Sequence, residues 1–316
     1  PCEFKSRHPH FLQLVSSAPT ESGLAIVLVS NGPGELTTWV RPLAERLHAT
    51  LPLRPRVPHA TASLQLLLVP CPNATGQEVE AAQPWGQFER ILPARVFWSL
   101  LLSPHRFGPW PERGVVVFLG GDQFWTVLLS ARLGYRHITY AEWVARWPAW
   151  NDRVAAMSNA VRDQLPRQHR SRCTVVGDLM ADLSSFARRD DPLPEGEWVA
   201  LLPGSKRAKL SVGVPFLLET ADRLAQLRPQ CRFLLPVAPT TSVAELVRFS
   251  GTANPIAAAY NAVVTELGDG YLSTEAGTKI ELIERHPAHG ALSQCNLALT
   301  TVGANTAELG ALAVPM

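Results

Sequence analysis

Two stretches in the C-terminal half bring together residue types that hold phosphate and sugar. Leu201-Leu202-Pro203-Gly204-Ser205-Lys206-Arg207-Ala208-Lys209 carries an apolar run into a glycine turn with a hydroxyl and several cations at its mouth. Backbone amides at such a turn, with ammonium groups beside them, suit a diphosphate. The G-x-x-x-x-G-K spacing of a Walker loop is absent, and the same residues also suit a solvated strand-to-helix turn. Downstream, Thr300-Thr301-Val302-Gly303-Ala304-Asn305-Thr306-Ala307-Glu308 runs a strand end into a helix start built of small residues. Small side chains let a ligand approach a helix N-terminus, and the Glu308 carboxylate about one turn in can accept hydrogen bonds from a vicinal diol such as ribose. Plain helix packing is the alternative. Together the two stretches predict a nucleotide, with Gly204, Ser205, Lys206, Gly303, Ala304, Asn305, Thr306 and Glu308 around it.

A third group lies in the N-terminal half. Gly120-Gly121-Asp122 ends the strand-like run Val115-Val116-Val117-Phe118-Leu119, which places a carboxylate at a strand C-terminus, where a general base could stand. An Asp there also suits a helix cap. Ser30-Asn31-Gly32-Pro33-Gly34-Glu35-Leu36 is another strand, glycine turn and helix start. Trp143, Trp147 and Trp150 recur every three or four residues beside arginines, which fits either core packing or a partly exposed stripe at an amphiphilic ligand or membrane. His286 and His289 read as loop and helix-cap residues; neither a metal nor a cofactor is expected.

The elements that must position these groups follow from periodicity. Strand-like runs at 24–29, 64–69, 115–119, 137–140 and 173–176 alternate with helical patterns such as 122–133. After a linker-like segment near 185–195 the pattern restarts at 198–202, with strands at 232–235, 280–283 and 297–300 and helices at 213–227, 242–249 and 304–312. Such alternation argues for parallel sheets covered on both faces, in two successive Rossmann-like units: a loose tail at 1–23, a first domain at 24–185 and a second at 186–316. A cleft at the strand C-terminal ends is then the expected ligand site.

Composition sets the bounds. The 316 residues suit two domains of roughly 150 each. A net charge of +2 gives no global basic field, so nucleic acid is not implied. Five widely spaced cysteines without a CxxC pair fit a reduced, cytoplasmic compartment. No apolar run approaches the ~18 to 20 residues of a membrane span, and the first residues hold no signal-peptide core. The absent initial Met and the stop at Val314-Pro315-Met316, where another strand is expected, read as a fragment missing the C-terminal part of its second domain.

The segments "ALLPGSK" at 200–206, "VVGDLMAD" at 175–182, "HITYAEWVARWPAW" at 137–150 and "TTVGANTAELGALAVPM" at 300–316 come in the order and at about the spacing of a known family. The chain resembles lipid-A-disaccharide synthase, a GT-B glycosyltransferase, and in particular its cyanobacterial and plastid-type relatives, over most of residues 24–316. The resemblance implies a GT-B fold and an inverting, metal-free transfer of an acylated glucosamine from a UDP-sugar, bound by the second domain, to a lipid-linked sugar acceptor received by the first. It implies that Gly204, Ser205 and Lys206 meet the diphosphate, that Glu308 meets the ribose, and that Asp122 is the base with Glu35 as a second candidate. Asn31, Gly32, Gly34, Glu142 and Trp143 fall on the acceptor side by position, and acylated substrates imply a cytoplasmic protein held peripherally at a membrane. The family's turn carries arginine where this chain has Lys206. Two other functions share this design: a UDP-N-acetylglucosamine 2-epimerase, which needs further acidic and histidine groups in the cleft, and a nucleotide-sugar-binding protein without catalysis.

Overall fold

The structure, a computed structural model, describes residues 20–71, 74, 76–181, 192–260 and 263–316. Most of the expected N-terminal tail and most of the expected linker at 185–195 lie outside these residues. Eight strands form the first sheet: β1 (Thr20–Ser30), β2 (Leu53–Arg54), β3 (Ala62–Leu68), β4 (Arg90–Leu92), β5 (Trp110–Phe118), β6 (Arg136–Ala141), β7 (Arg153–Ala156) and β8 (Cys173–Val175). They run β2-β3-β1-β5-β6-β7-β8, with β4 also beside β3, and every pairing is parallel.

The centre of this sheet explains its apolar strands. Ile26 and Leu28 of β1 join one core cluster with Leu36, Val40 and Ala44, while Ala25, Val27 and Val29 join another with Phe97, Leu100 and Leu129. Alternate residues of one strand thus enter opposite cores, so no polar alternation survives in the sequence. Each fully buried leucine here contributes about 2 kcal/mol relative to an exposed one. Helix α1 (Arg41–Thr50) follows β1 through a π-helical turn at Leu36–Val40, and α2 (Gln123–Leu133) follows β5. Val29 stands beside both Leu67 and Phe118, and Phe118 beside Thr139, so β1, β5 and β6 end at one edge. Asn31 to Glu35, Gly120 to Asp122 and Glu142 all emerge there.

The second sheet holds β9 (Glu197–Leu202), β10 (Cys231–Pro236), β11 (Val264–Gly268), β12 (Tyr271–Thr274), β13 (Lys279–Ile283) and β14 (Leu297–Thr300), in the order β11-β12-β13-β10-β9-β14. Only β13, β10, β9 and β14 are mutually parallel; β12 runs antiparallel to both neighbours. The expectation of a purely parallel sheet is corrected on this side. The Asp269-Gly270 turn, with Gly270 at φ +74°, closes a hairpin. Mostly exposed β11 carries no apolar alternation to betray it.

Helix α3 spans Arg207–Leu227, α4 Val243–Ser250, α5 His289–Leu292 and α6 Ala304–Ala311. The expected start of α3 at 213 moves back to Arg207, so the Gly204 turn opens directly into a helix N-terminus. Helix and turn touch there: a Cβ at Gly213 would stand 2.7 Å from the Pro203 carbonyl oxygen, too close for any larger residue. Val199 and Leu201 pack on Leu210, Val214 and Leu218 of α3, whereas Trp198, Ala200 and Leu202 face Leu292 and Leu309. Two Rossmann-like α/β units with a cleft between their strand ends make this a GT-B fold.

Candidate active site

A cleft of about 370 Å³ is lined from both sheets, by Gly34, Glu35, Arg41 and Glu142 on one side and by Gly204, Lys206, His289 and Glu308 on the other. It is where the parallel strands end, as the topology requires.

On the second-domain side, Gly204 has φ +98°, and a Cβ there would lie 3.0 Å from Thr301 Oγ1 and 3.2 Å from Lys209 Cβ. Only glycine suits such backbone at such proximity. Thr301 ties the two turns together: its N–H donates to the Leu202 carbonyl at 3.1 Å and its hydroxyl to the Pro203 carbonyl at 3.2 Å. Lys209 crosses between the same turns, its Nζ donating to the Val302 carbonyl. Helices α3 and α6 begin here with Lys206 and Gly303 as caps, neither of which makes a side-chain capping hydrogen bond. Two sets of first-turn amides, with the Lys206 ammonium, therefore converge on one cleft and can receive an anion. Ser205, Gly303, Ala304 and Asn305 line the cleft; Thr306 does not, and its hydroxyl donates back to the Gly303 carbonyl at 2.6 Å.

Glu308 lines the cleft with its side chain 13% exposed, and His289 Nε2 stands 3.7 Å from its Oε1. His286 lines the cleft as well. Burial, reinforced by Arg41 and His289, pushes the His286 imidazole below its ordinary pKa, against a backbone contact at Val237 and the Glu308 charge. His289 does begin α5, as a cap reading suggests, yet both histidines are also cleft residues. Their place just after the end of β13 is the signal that sequence reasoning passed over. Arg41, also missed, reaches the cleft from the opposite domain with its guanidinium 5.3 Å from the Trp85 ring centre. Burial lowers its pKa, Glu45 opposes that and Arg56 adds to it.

On the first-domain side, the paired glycines let two turns pack. A Cβ at Gly120 would lie 3.0 Å from Asn31 Oδ1 and 3.1 Å from Glu35 Cγ; at Gly121, with φ +102°, it would lie 2.8 Å from Val69 Cγ2. Ser30 Oγ and Asn31 Oδ1 are buried here without a hydrogen-bond partner among the described residues. Glu35 folds back over Gly32, where a Cβ would meet its Oε2 at 2.5 Å. Glu142 has its carboxyl raised above the ordinary carboxylate range, first by burial, then by Asp178 and Glu35, with a Trp143 hydrogen bond acting the other way. Asp122 is exposed and caps α2, its Oδ1 accepting the Phe124 N–H at 2.9 Å. Asn31, Gly32, Asp122 and Trp143 stand at this edge without lining the cleft itself. Among the described residues, no group of three or more His, Cys, Asp or Glu is placed to hold a metal ion.

Beside this edge the tryptophans form a surface. Trp143 is 73% exposed, and Trp147 and Trp150 stack at 5.3 Å with a 10° interplanar angle. Phe124 of α2 meets Trp147, and Trp98 meets Trp125 edge-on at 5.2 Å. Gln123 pins the loop, donating to the Val144 carbonyl and accepting the Arg146 N–H.

No family model matches the chain. Lipid-A-disaccharide synthase of Pseudomonas fluorescens (strain Pf0-1) is 38% identical over 77 residues, 22% of this chain and 20% of that protein. Its counterpart in Anaeromyxobacter dehalogenans (strain 2CP-C) is 30% identical over 118 residues, 37% of this chain and 25% of that one. The matched segments thus cover a quarter or less of these relatives. Among solved structures, the S. aureus MnaA complex with UDP superposes with a TM-score of 0.55 at 10% identity, over 93% of this chain and 78% of that one. UDP-GlcNAc 2-epimerase from Neisseria meningitidis bound to UDP-GlcNAc gives 0.51 at 11% identity, over 92% and 81%. The glycotransferase of kitacinnamycin gives 0.51 at 15%, over 94% and 80%. These likenesses establish the shared fold.

Proposed function

We propose that the protein is an inverting glycosyltransferase that moves an acylated glucosamine from a UDP-sugar to a lipid-linked sugar acceptor, in the manner of lipid-A-disaccharide synthase. The observation that carries the reading is the meeting, in one cleft, of two uncapped helix starts and Glu308 with carboxylates of the opposite domain. The two helix starts and Lys206 take the diphosphate and stabilise UDP as it leaves; Glu308 accepts the ribose diol. Segments matching lipid-A-disaccharide synthase and a fold shared with a UDP complex support this reading. The acceptor hydroxyl attacks the anomeric carbon from the face opposite UDP, its proton passes to a carboxylate, and the C–O bond to UDP breaks. Glu35 lines the cleft and is assigned as that base; Asp122 beside it, with one oxygen on the Phe124 amide, is the alternate. In this reading residues 24–185 receive the acceptor and 186–316 the donor. The ring surface of Trp143, Trp147 and Trp150 meets the membrane from the cytoplasmic side. Among the described residues no helix is long and apolar enough to cross a membrane.

Incubation with UDP-acylglucosamine donors and a lipid extract, read by mass spectrometry, tests the reading. A lipid product heavier by one acylglucosamine supports it; UDP binding without any transfer product replaces it with a nucleotide-sugar-binding protein.

One observation favours a second reading, a UDP-N-acetylglucosamine 2-epimerase. That chemistry needs acidic and histidine groups in the cleft, and Glu35, Glu142, His286 and His289 all line it. Conversion of UDP-GlcNAc to its 2-epimer, followed by NMR, decides between them.

A further inference from the structure

We infer that His289 is a positioning residue for Glu308, holding that carboxylate ready for the ribose diol; this rests on the ribose role proposed for Glu308. Nε2 of His289 lies 3.7 Å from Glu308 Oε1, with the two side chains only 6% and 13% exposed. The histidine reaches Glu308 from another element, since β14 separates α5 from α6 in sequence. Its platform is firm: Leu292 of α5 and Leu309 of α6 share one buried cluster, and the His289 carbonyl accepts the Ser293 N–H at 2.9 Å. Nδ1 of the same ring is buried with no partner among the described residues, so the ring's polar contact is the one with Glu308. The neighbouring His286 carries its own backbone contact at Val237, and its link to Glu308 is an electrostatic one.

The physical argument concerns order before binding. A glutamate side chain that must be frozen by its ligand loses rotamer entropy, which weakens binding. A partner that already restrains it lets the hydrogen bonds to the diol appear more fully as affinity. Removing the histidine should therefore weaken only ligands that possess the diol.

Calorimetry of the whole chain with UDP and with 2′,3′-dideoxy-UDP tests this in the unmodified protein, His289→Ala, His289→Leu and His289→Gln, each checked by thermal melting. The unmodified protein should prefer UDP by about tenfold or more, as expected for hydrogen bonds to a charged group. His289→Ala and His289→Leu should lose most of that preference through weaker UDP binding alone, and His289→Gln, whose amide can donate to the carboxylate, should regain part of it. Should the alanine variant fail to fold, the leucine and glutamine variants carry the same comparison. Equal weakening of both ligands, or a preference untouched by the substitutions, overturns the positioning role. An unmodified protein that binds both ligands equally overturns the ribose reading of Glu308, and this inference with it.

Discussion

Gly34 and Ala304 face each other across the cleft: a Cβ built on Gly34 would stand 3.3 Å from the Ala304 Cβ. The turn after the first strand and the start of the last described helix, far apart in sequence, are thus van der Waals neighbours. Gly34→Leu should wedge them apart. UDP affinity should stay within about threefold while transfer falls about a hundredfold, the scale of a 1 Å misplacement of reacting groups. Calorimetry beside a transfer assay separates the two, and full turnover in the variant would refute the alignment.

Lys209 braces the two turns around the proposed diphosphate site through the Val302 carbonyl. Lys209→Met should cost about 1 kcal/mol of stability, the scale of one hydrogen bond, and weaken UDP binding about tenfold. Denaturant unfolding and calorimetry measure the two effects. Unchanged UDP affinity would mean that the brace is dispensable.

Glu142 should carry a pH signature. Its folded pKa is raised by burial, Asp178 and Glu35, so the folded state binds a proton more tightly than the unfolded one. Its contribution to stability is then complete below the ordinary carboxylate pKa and is lost as pH rises through the folded value. Glu142→Gln should melt higher than the parent at pH 7 and level with it near the acid end. His137 works in the opposite sense. Burial lowers it to about 4, so the folded state resists protonation and stability falls as pH drops from about 6.5 toward 4. A melting series from pH 4 to pH 8 reads both slopes.

The two carboxylates at the proposed acceptor edge separate by substitution. Glu35→Gln should lower transfer by about a hundredfold or more with UDP affinity retained, the range of a general base. Asp122→Ala should cost about 1 kcal/mol by uncapping α2, whereas Asp122→Asn keeps the cap and should retain most turnover. Loss of transfer in Asp122→Asn at full stability would move the base to Asp122.

Exposed rings beside arginines should bind anionic bilayers. Vesicles containing phosphatidylglycerol should float the parent protein, and joint Trp143→Ser, Trp147→Ser and Trp150→Ser changes should abolish flotation. Equal flotation of both would remove the membrane role from this surface.

Much of this was legible beforehand because buried parallel strands write themselves as apolar runs. β1, β3, β5, β9 and β14 were visible for that reason, and the glycine turns after β9 and β14 marked the cleft. Missed elements lacked that signature. β11 is a mostly exposed strand, and short β7 hides between a tryptophan loop and a helix cap. Arg41 escaped because nothing local distinguishes it, and His286 and His289 because their place just after β13 reads as an ordinary loop; the fold brings all three to the cleft that Glu308 and Glu35 line. Asp122 shows the converse, since one sequence position suited both a base and a cap, and the cap is the contact made.

The hydrogen bond from Lys209 to Val302 spans 93 residues of sequence. One wall of the proposed nucleotide pocket is therefore borrowed from a strand that is synthesised nearly a hundred residues after the other wall. On the ribosome, a nascent chain that has already folded β9 and α3 still presents only half a pocket. In the proposed reading the pocket is complete only when β14 stands beside β9 and α6 follows it, so nucleotide capture by stalled chains of increasing length would date the closure of this site.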